Sequence, residues 1–76
     1  MSGANLARLL GRYGYEVTRQ SGSHMRLSSR SRGETHHITV PSHRTLRVGT
    51  LNRIVTDVAA YLGLDRDELL RELFGR

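Results

Sequence analysis

The chemistry open to this 76-residue chain is narrow: it has four histidines, twelve arginines, no lysine and no cysteine. His24 stands out, within Gly22-Ser23-His24-Met25-Arg26. Side chains alternate along a strand, so His24 and Arg26 would share one face about 6–7 Å apart. An imidazole can move a proton near neutral pH. A guanidinium presents a fixed fork of donors that matches phosphate oxygens. Together they could touch one phosphodiester, and the backbone N–H groups of Gly22 and Ser23 offer a further anion contact. RNA carries its own nucleophile, the 2′-hydroxyl. A group that takes that proton, or returns one to the leaving oxygen, suffices when cations hold the phosphate charge. The competing reading is a surface histidine without a role, the commoner fate of a lone exposed imidazole.

Other chemistries find less support. His36 and His37 are adjacent and so face opposite sides of a strand. No histidine pair stands at the i, i+4 spacing of a helical metal site, so no metal is expected. No P-loop, dinucleotide glycine pattern or serine elbow occurs, and no cofactor is expected. Asp65, Asp67, Glu68 and Glu72 read as acids suited to a helix N-terminus rather than as catalytic carboxylates. His43, Arg44 and Arg47 fall in a basic loop and, with Arg19, would form a cationic track.

These residues need elements to hold them. Leu6, Leu9, Leu10 and Tyr13 follow helical spacing, with Ser2 or Asn5 as cap and Gly14 as exit. Gly11 weakens this helix and could end it early. Tyr15–Gln20, His24–Ser28 and Glu34–Val40 alternate as strands, separated by a turn at 21–23 and a polar loop at 29–33. Alternation sends Tyr15, Val17, Met25, Leu27, Ile38 and Val40 inward. Glu16, Thr18, Gln20, His24, Arg26, Ser28, His37 and Thr39 point outward, and His36 sits at the buried side or its margin. Pro41 ends the third strand. Leu51, Ile54, Val55, Val58, Ala59 and Leu62 mark a second helix from Gly49-Thr50 to Gly63. Asp65 caps a third, with Glu68 as capping-box partner and Leu64 stapling onto Leu69. The fold class is therefore α+β, a three-stranded antiparallel meander covered on one face by helices, in the order α-β-β-β-α-α.

Composition sets outer limits. The length suits one domain over 1–76, with a core at about 5–63 and a C-terminal helix at about 65–74, and excludes an interdomain cleft. Domains this small often gain stability from a partner or an oligomer. Zero cysteine excludes disulfides, zinc ribbons and cysteine nucleophiles. No apolar run approaches the ~20 residues of a membrane span. The neutral start, Met1 to Asn5, lacks a signal-peptide layout, so a cytoplasmic protein is expected. Residues 1–53 hold nine arginines against Glu16 and Glu34, a net of +7; residues 54–76 hold three against five acids, a net of −2. Base composition or growth temperature can explain arginine over lysine, but not that asymmetry. A localised basic surface is the footprint of a phosphate-rich partner.

Three segments then carry a family resemblance. Tyr13-Gly14-Tyr15 followed by Val17-Thr18-Arg19-Gln20-Ser21-Gly22-Ser23-His24 resembles the signature of HicA toxins. Ile38-Thr39-Val40-Pro41-Ser42-His43 resembles the family's Thr-Val-Pro-x-His segment, and Gly49-Thr50-Leu51-Asn52-Arg53-Ile54 its Gly-Thr-Leu-x-x-Ile helix start. The three occur in the family's order and spacing over roughly residues 5–63. The resemblance implies a double-stranded-RNA-binding-domain-like fold and a ribosome-independent mRNA interferase, a ribonuclease toxin neutralised by a HicB-like antitoxin. It places the catalytic histidine at His24. Met25 departs from the second histidine that many members carry there, and the variable Ser28–Gly33 loop transfers no site residues. The expected function is a metal-independent endoribonuclease. His24 would be its acid or base, Arg26 would hold phosphate, Gly22 and Ser23 would shape the approach, and Arg19, His43, Arg44 and Arg47 would guide RNA. The alternative is a non-catalytic module of the same fold reading duplex RNA by shape; a protein-interaction module is a third. Self-association and toxin–antitoxin hetero-oligomers both remain open.

Overall fold

A computed structural model describes residues 1–75. The chain forms two compact units, Met1–Leu46 and a second beginning at Arg47. The first unit opens with α1 (Gly3–Leu10), capped by Ser2, whose Oγ accepts from the Asn5 N–H at 3.0 Å. As Gly11 foreshadowed, the α-helix stops at Leu10 and tightens into a 3₁₀ turn over Gly11–Tyr13. Gly14 comes next at φ +90°, a conformation only glycine adopts cheaply; a β-carbon there would also press Ser29 and Ser31.

Three strands succeed it: β1 (Glu16–Ser21), β2 (His24–Ser29) and β3 (His36–Pro41). They form an antiparallel sheet in the order β1-β2-β3, so β2 is central. Met25 and Leu27 are buried and lie opposite Val40 and Ile38, which are also buried. With Leu6, Leu9, Leu10 and Tyr15 they form the apolar centre of this unit, and α1 packs against β1 and β3. Each such side chain contributes about 1.5–3 kcal/mol by leaving water. Tyr15 precedes β1 rather than opening it; its hydroxyl meets His36 Nδ1 at 2.6 Å, and the rings stand edge to face. That contact holds His36 half-buried at the margin anticipated for it.

The chain departs from simple alternation in three places. Val17 lies opposite Leu27, on the expected face, yet remains 48% exposed. The register then slips between Val17 and Arg19, leaving Thr18 as an extra residue. This bulge reverses the parity of the rest of β1, so Gln20, expected outward, lies opposite buried Met25. Ser29, expected in the loop, is the buried last residue of β2; its Oγ is satisfied by the Ser31 N–H at 3.2 Å and the Ser31 hydroxyl at 3.0 Å.

The second unit holds α2 (Val48–Leu62) and α3 (Arg66–Phe74). Ile54, Val55, Val58, Ala59 and Leu62 are the buried face of α2, and Leu69 and Leu73 that of α3. Asp65 caps α3 through the Glu68 N–H at 3.2 Å. Leu64, expected as a staple, is 41% exposed. Arg66 instead ties the helices, donating from Nε to Thr56 Oγ1 at 3.1 Å and from Nη2 to Asn52 Oδ1 at 2.8 Å. No helix is long and apolar enough to cross a membrane among the described residues.

Candidate functional site

The sheet turns one face toward solvent, and its rows are set by the register. Ser21, His24 and Pro41 form one row; Arg19, Arg26 and Thr39 the next; Glu16, Ser28 and His37 the third. His24 is the first residue after the two-residue turn Gly22-Ser23. Gly22 has φ +56° and Ser23 a negative φ, the signs of a type II′ hairpin turn, which needs glycine in its first position. The turn is tied down, because the Ser23 carbonyl accepts from the Ser42 N–H at 2.7 Å. Thus β2 and its turn bring Gly22, Ser23, His24 and Arg26 together as expected. His24 is exposed, and its ring makes no hydrogen bond with a described residue.

Arg19 reaches the same face by an unforeseen route. Alternation from Tyr15 and Val17 would turn it inward; the Thr18 bulge returns it outward, directly opposite Arg26. Like charges in directly opposed positions repel. Neither guanidinium forms an ion pair with a described residue, so no described acid offsets the two charges. Both arginines line an open groove of about 680 Å³ that continues past Glu16, Ser28 and His37.

The third row carries a hydrogen-bonded chain that no sequence pattern signals. Ser28 Oγ lies 2.6 Å from His37 Nδ1 and 3.0 Å from Thr18 Oγ1, and the Thr18 hydroxyl donates to the Arg26 carbonyl at 3.3 Å. Thr18 is the extra residue of the bulge, and nothing in Val-Thr-Arg-Gln marks a bulge. His37 does share the open face with His24, as alternation indicated, but two rows away. That is about 13 Å along the strands, too far for both to serve one phosphodiester.

The remaining basic residues are placed less closely. His43 and Arg44 are exposed just beyond Pro41, the cross-strand neighbour of His24. Their segment is anchored to the start of α1: Gly3 donates to the His43 carbonyl at 2.9 Å and Leu46 to the Met1 carbonyl at 2.8 Å. Arg47 belongs to the second unit, where it is the exposed N-cap of α2 without a side-chain capping bond. Among the described residues no group of three or more His, Asp or Glu is arranged to hold a metal ion.

The first unit is a small α+β module whose antiparallel sheet turns cations and imidazoles to solvent. The chain belongs to a known family: the profile described as HicA toxin of bacterial toxin–antitoxin matches residues 3–60. The protein is thus of the toxin type of a toxin–antitoxin system. No curated protein and no solved structure matches the chain.

Proposed function

We propose that this protein is an endoribonuclease, an mRNA interferase acting through His24, whose partner is a HicB-like antitoxin in the same cytoplasm. The observation that carries this reading is the unengaged, exposed imidazole of His24 one step along β2 from Arg26. In cleavage the substrate's 2′-oxygen loses its proton and bonds to phosphorus. The 5′-oxygen leaves and takes up a proton, giving a 2′,3′-cyclic phosphate and a 5′-hydroxyl. His24 carries out one of these transfers, a contribution of roughly 10²–10⁴-fold. Arg26, with Arg19 opposite, offsets the charge gathering on the phosphorane oxygens. Gly22 and Ser23 leave the approach to His24 free of bulk, and His43, Arg44 and Arg47 attract the polyanion. Because the nucleophile belongs to the substrate, the protein need supply only proton transfer and positive charge.

The test is cleavage of single-stranded RNA by the purified protein in chelator, with wild type and His24→Ala compared. Loss of cleavage by roughly 100-fold or more, with RNA binding retained, is expected. Undiminished cleavage by His24→Ala would refute the assignment. RNA binding by the wild type without cleavage would favour the duplex-reading module.

A further inference from the structure

The third row of the open face, Glu16-Ser28-His37, is unlike the arginine row beside it, and its hydrogen-bond direction can be deduced. A backbone carbonyl can only accept, so the Thr18 hydroxyl spends its one proton on the Arg26 carbonyl. Thr18 Oγ1 must then accept from Ser28, which leaves Ser28 Oγ accepting from His37 Nδ1–H. The neutral His37 ring is thereby fixed with Nε2 as a bare acceptor. At the other end of the row, Glu16 is exposed and makes no ion pair with a described residue. A carboxylate is likewise acceptor-only. Across three strands the two acceptors stand about 10 Å apart, both lining the groove. The donor row Arg19-Arg26 lies about 7 Å away along β2.

We infer that this groove is a nucleobase subsite: Glu16 and His37 Nε2 each accept a hydrogen bond from the exocyclic amino group of a cytosine or adenine, one base at each end of the row, while Arg19 and Arg26 hold the connecting phosphate. Single-stranded RNA is read in this way, by base edges and by stacking on flat side chains. Uracil presents a carbonyl where cytosine presents an amine, so it meets an acceptor with an acceptor. Ser28 and Thr18 are positioning residues that fix the imidazole tautomer. The inference deepens the RNA-cleaving reading of the same face and would give that reaction a site preference.

The experiment measures binding of 2′-O-methyl oligocytidylate and oligouridylate, which lack the 2′-hydroxyl and stay intact, to the full chain. Wild type is expected to bind the cytidylate roughly ten-fold more tightly, the worth of about one good polar contact. Glu16→Gln, which adds a donor, should bring the two affinities together by strengthening uridylate binding, an effect that loss of structure cannot imitate. Ser28→Ala, which frees the His37 tautomer so that Nε2 can carry the proton, should narrow the ratio from both sides by weakening cytidylate and strengthening uridylate binding. Equal wild-type affinities, or a ratio that survives both substitutions, would overturn the subsite. The two readings fail separately. Discrimination that depends on Glu16 in a protein that cuts no RNA keeps the subsite and removes the nuclease. His24-dependent cleavage with no discrimination does the reverse.

Discussion

Gly3→Ala is expected to be strongly destabilising, against the usual sign for glycine in a helix. Replacing a helical glycine by alanine ordinarily stabilises by about 0.5–1 kcal/mol. Here the new β-carbon would lie 1.7 Å from the Pro41 carbonyl oxygen, 2.8 Å from its carbon and 3.1 Å from the Ser42 Cα. All three are backbone atoms at the end of β3, so no side chain can rotate away. Relief requires α1 and the 41–43 segment to separate, which forfeits the 2.9 Å bond from Gly3 to His43. Overpacking of about 1–3 kcal/mol plus a lost hydrogen bond of about 1 kcal/mol gives a cost of roughly 2–4 kcal/mol. For a chain of this size that lowers the unfolding midpoint by at least about 8 °C. Gly11→Ala is the control: its backbone is right-handed and a β-carbon there meets nothing within 4 Å. It should raise stability by about 0.5–1 kcal/mol. Thermal and urea unfolding of the two variants and wild type, tracked by circular dichroism, reads both signs. A Gly3→Ala midpoint equal to or above wild type would refute the docking of α1 on Pro41. Because Pro41 lies opposite His24, any activity of that row should fall along with stability.

Three further outcomes are expected. Tyr15→Phe removes the 2.6 Å contact to His36 and should cost about 0.5–1.5 kcal/mol in urea unfolding, the net worth of one hydrogen bond. Asp65→Ala deprives the Glu68 N–H of its cap and should cost about 1 kcal/mol, with a matching loss of helical ellipticity on thermal melting. Arg26→Ala should weaken single-stranded RNA binding and flatten the plot of log affinity against log salt by about 0.7 per lost phosphate contact; an unchanged slope would show that Arg26 touches no phosphate.

Much of the fold is legible in the residues. The apolar spacing of α2, the alternation of β2 and β3, and the punctuation by Gly14, Gly22 and Gly63 are local signals that the chain obeys. His24 and Arg26 share a face because β2 is regular throughout. What stays hidden is non-local. Thr18 is an ordinary strand residue, and its role as the extra residue of a bulge appears only once β1 is paired with β2. That pairing moves Gln20 to the covered face and Arg19 to the open one. The hydroxyl relay from His37 is hidden for the same reason, since it joins residues nine and ten positions apart. Val17 is more exposed than its spacing implies, because alternation says which way a side chain points but not whether anything covers a sheet margin.

The slip at Thr18 has one more consequence. A three-stranded sheet leaves two rims of unsatisfied peptide groups, each a template for an incoming strand. One rim is kinked by the bulge and carries Arg19; the other finishes in Pro41, which has no N–H to offer. A visiting strand would meet a kink along one rim and a missing donor at the end of the other, so neither can be paired for its full length. Another polypeptide seeking this protein is therefore steered away from lengthening the sheet and toward its faces and helices.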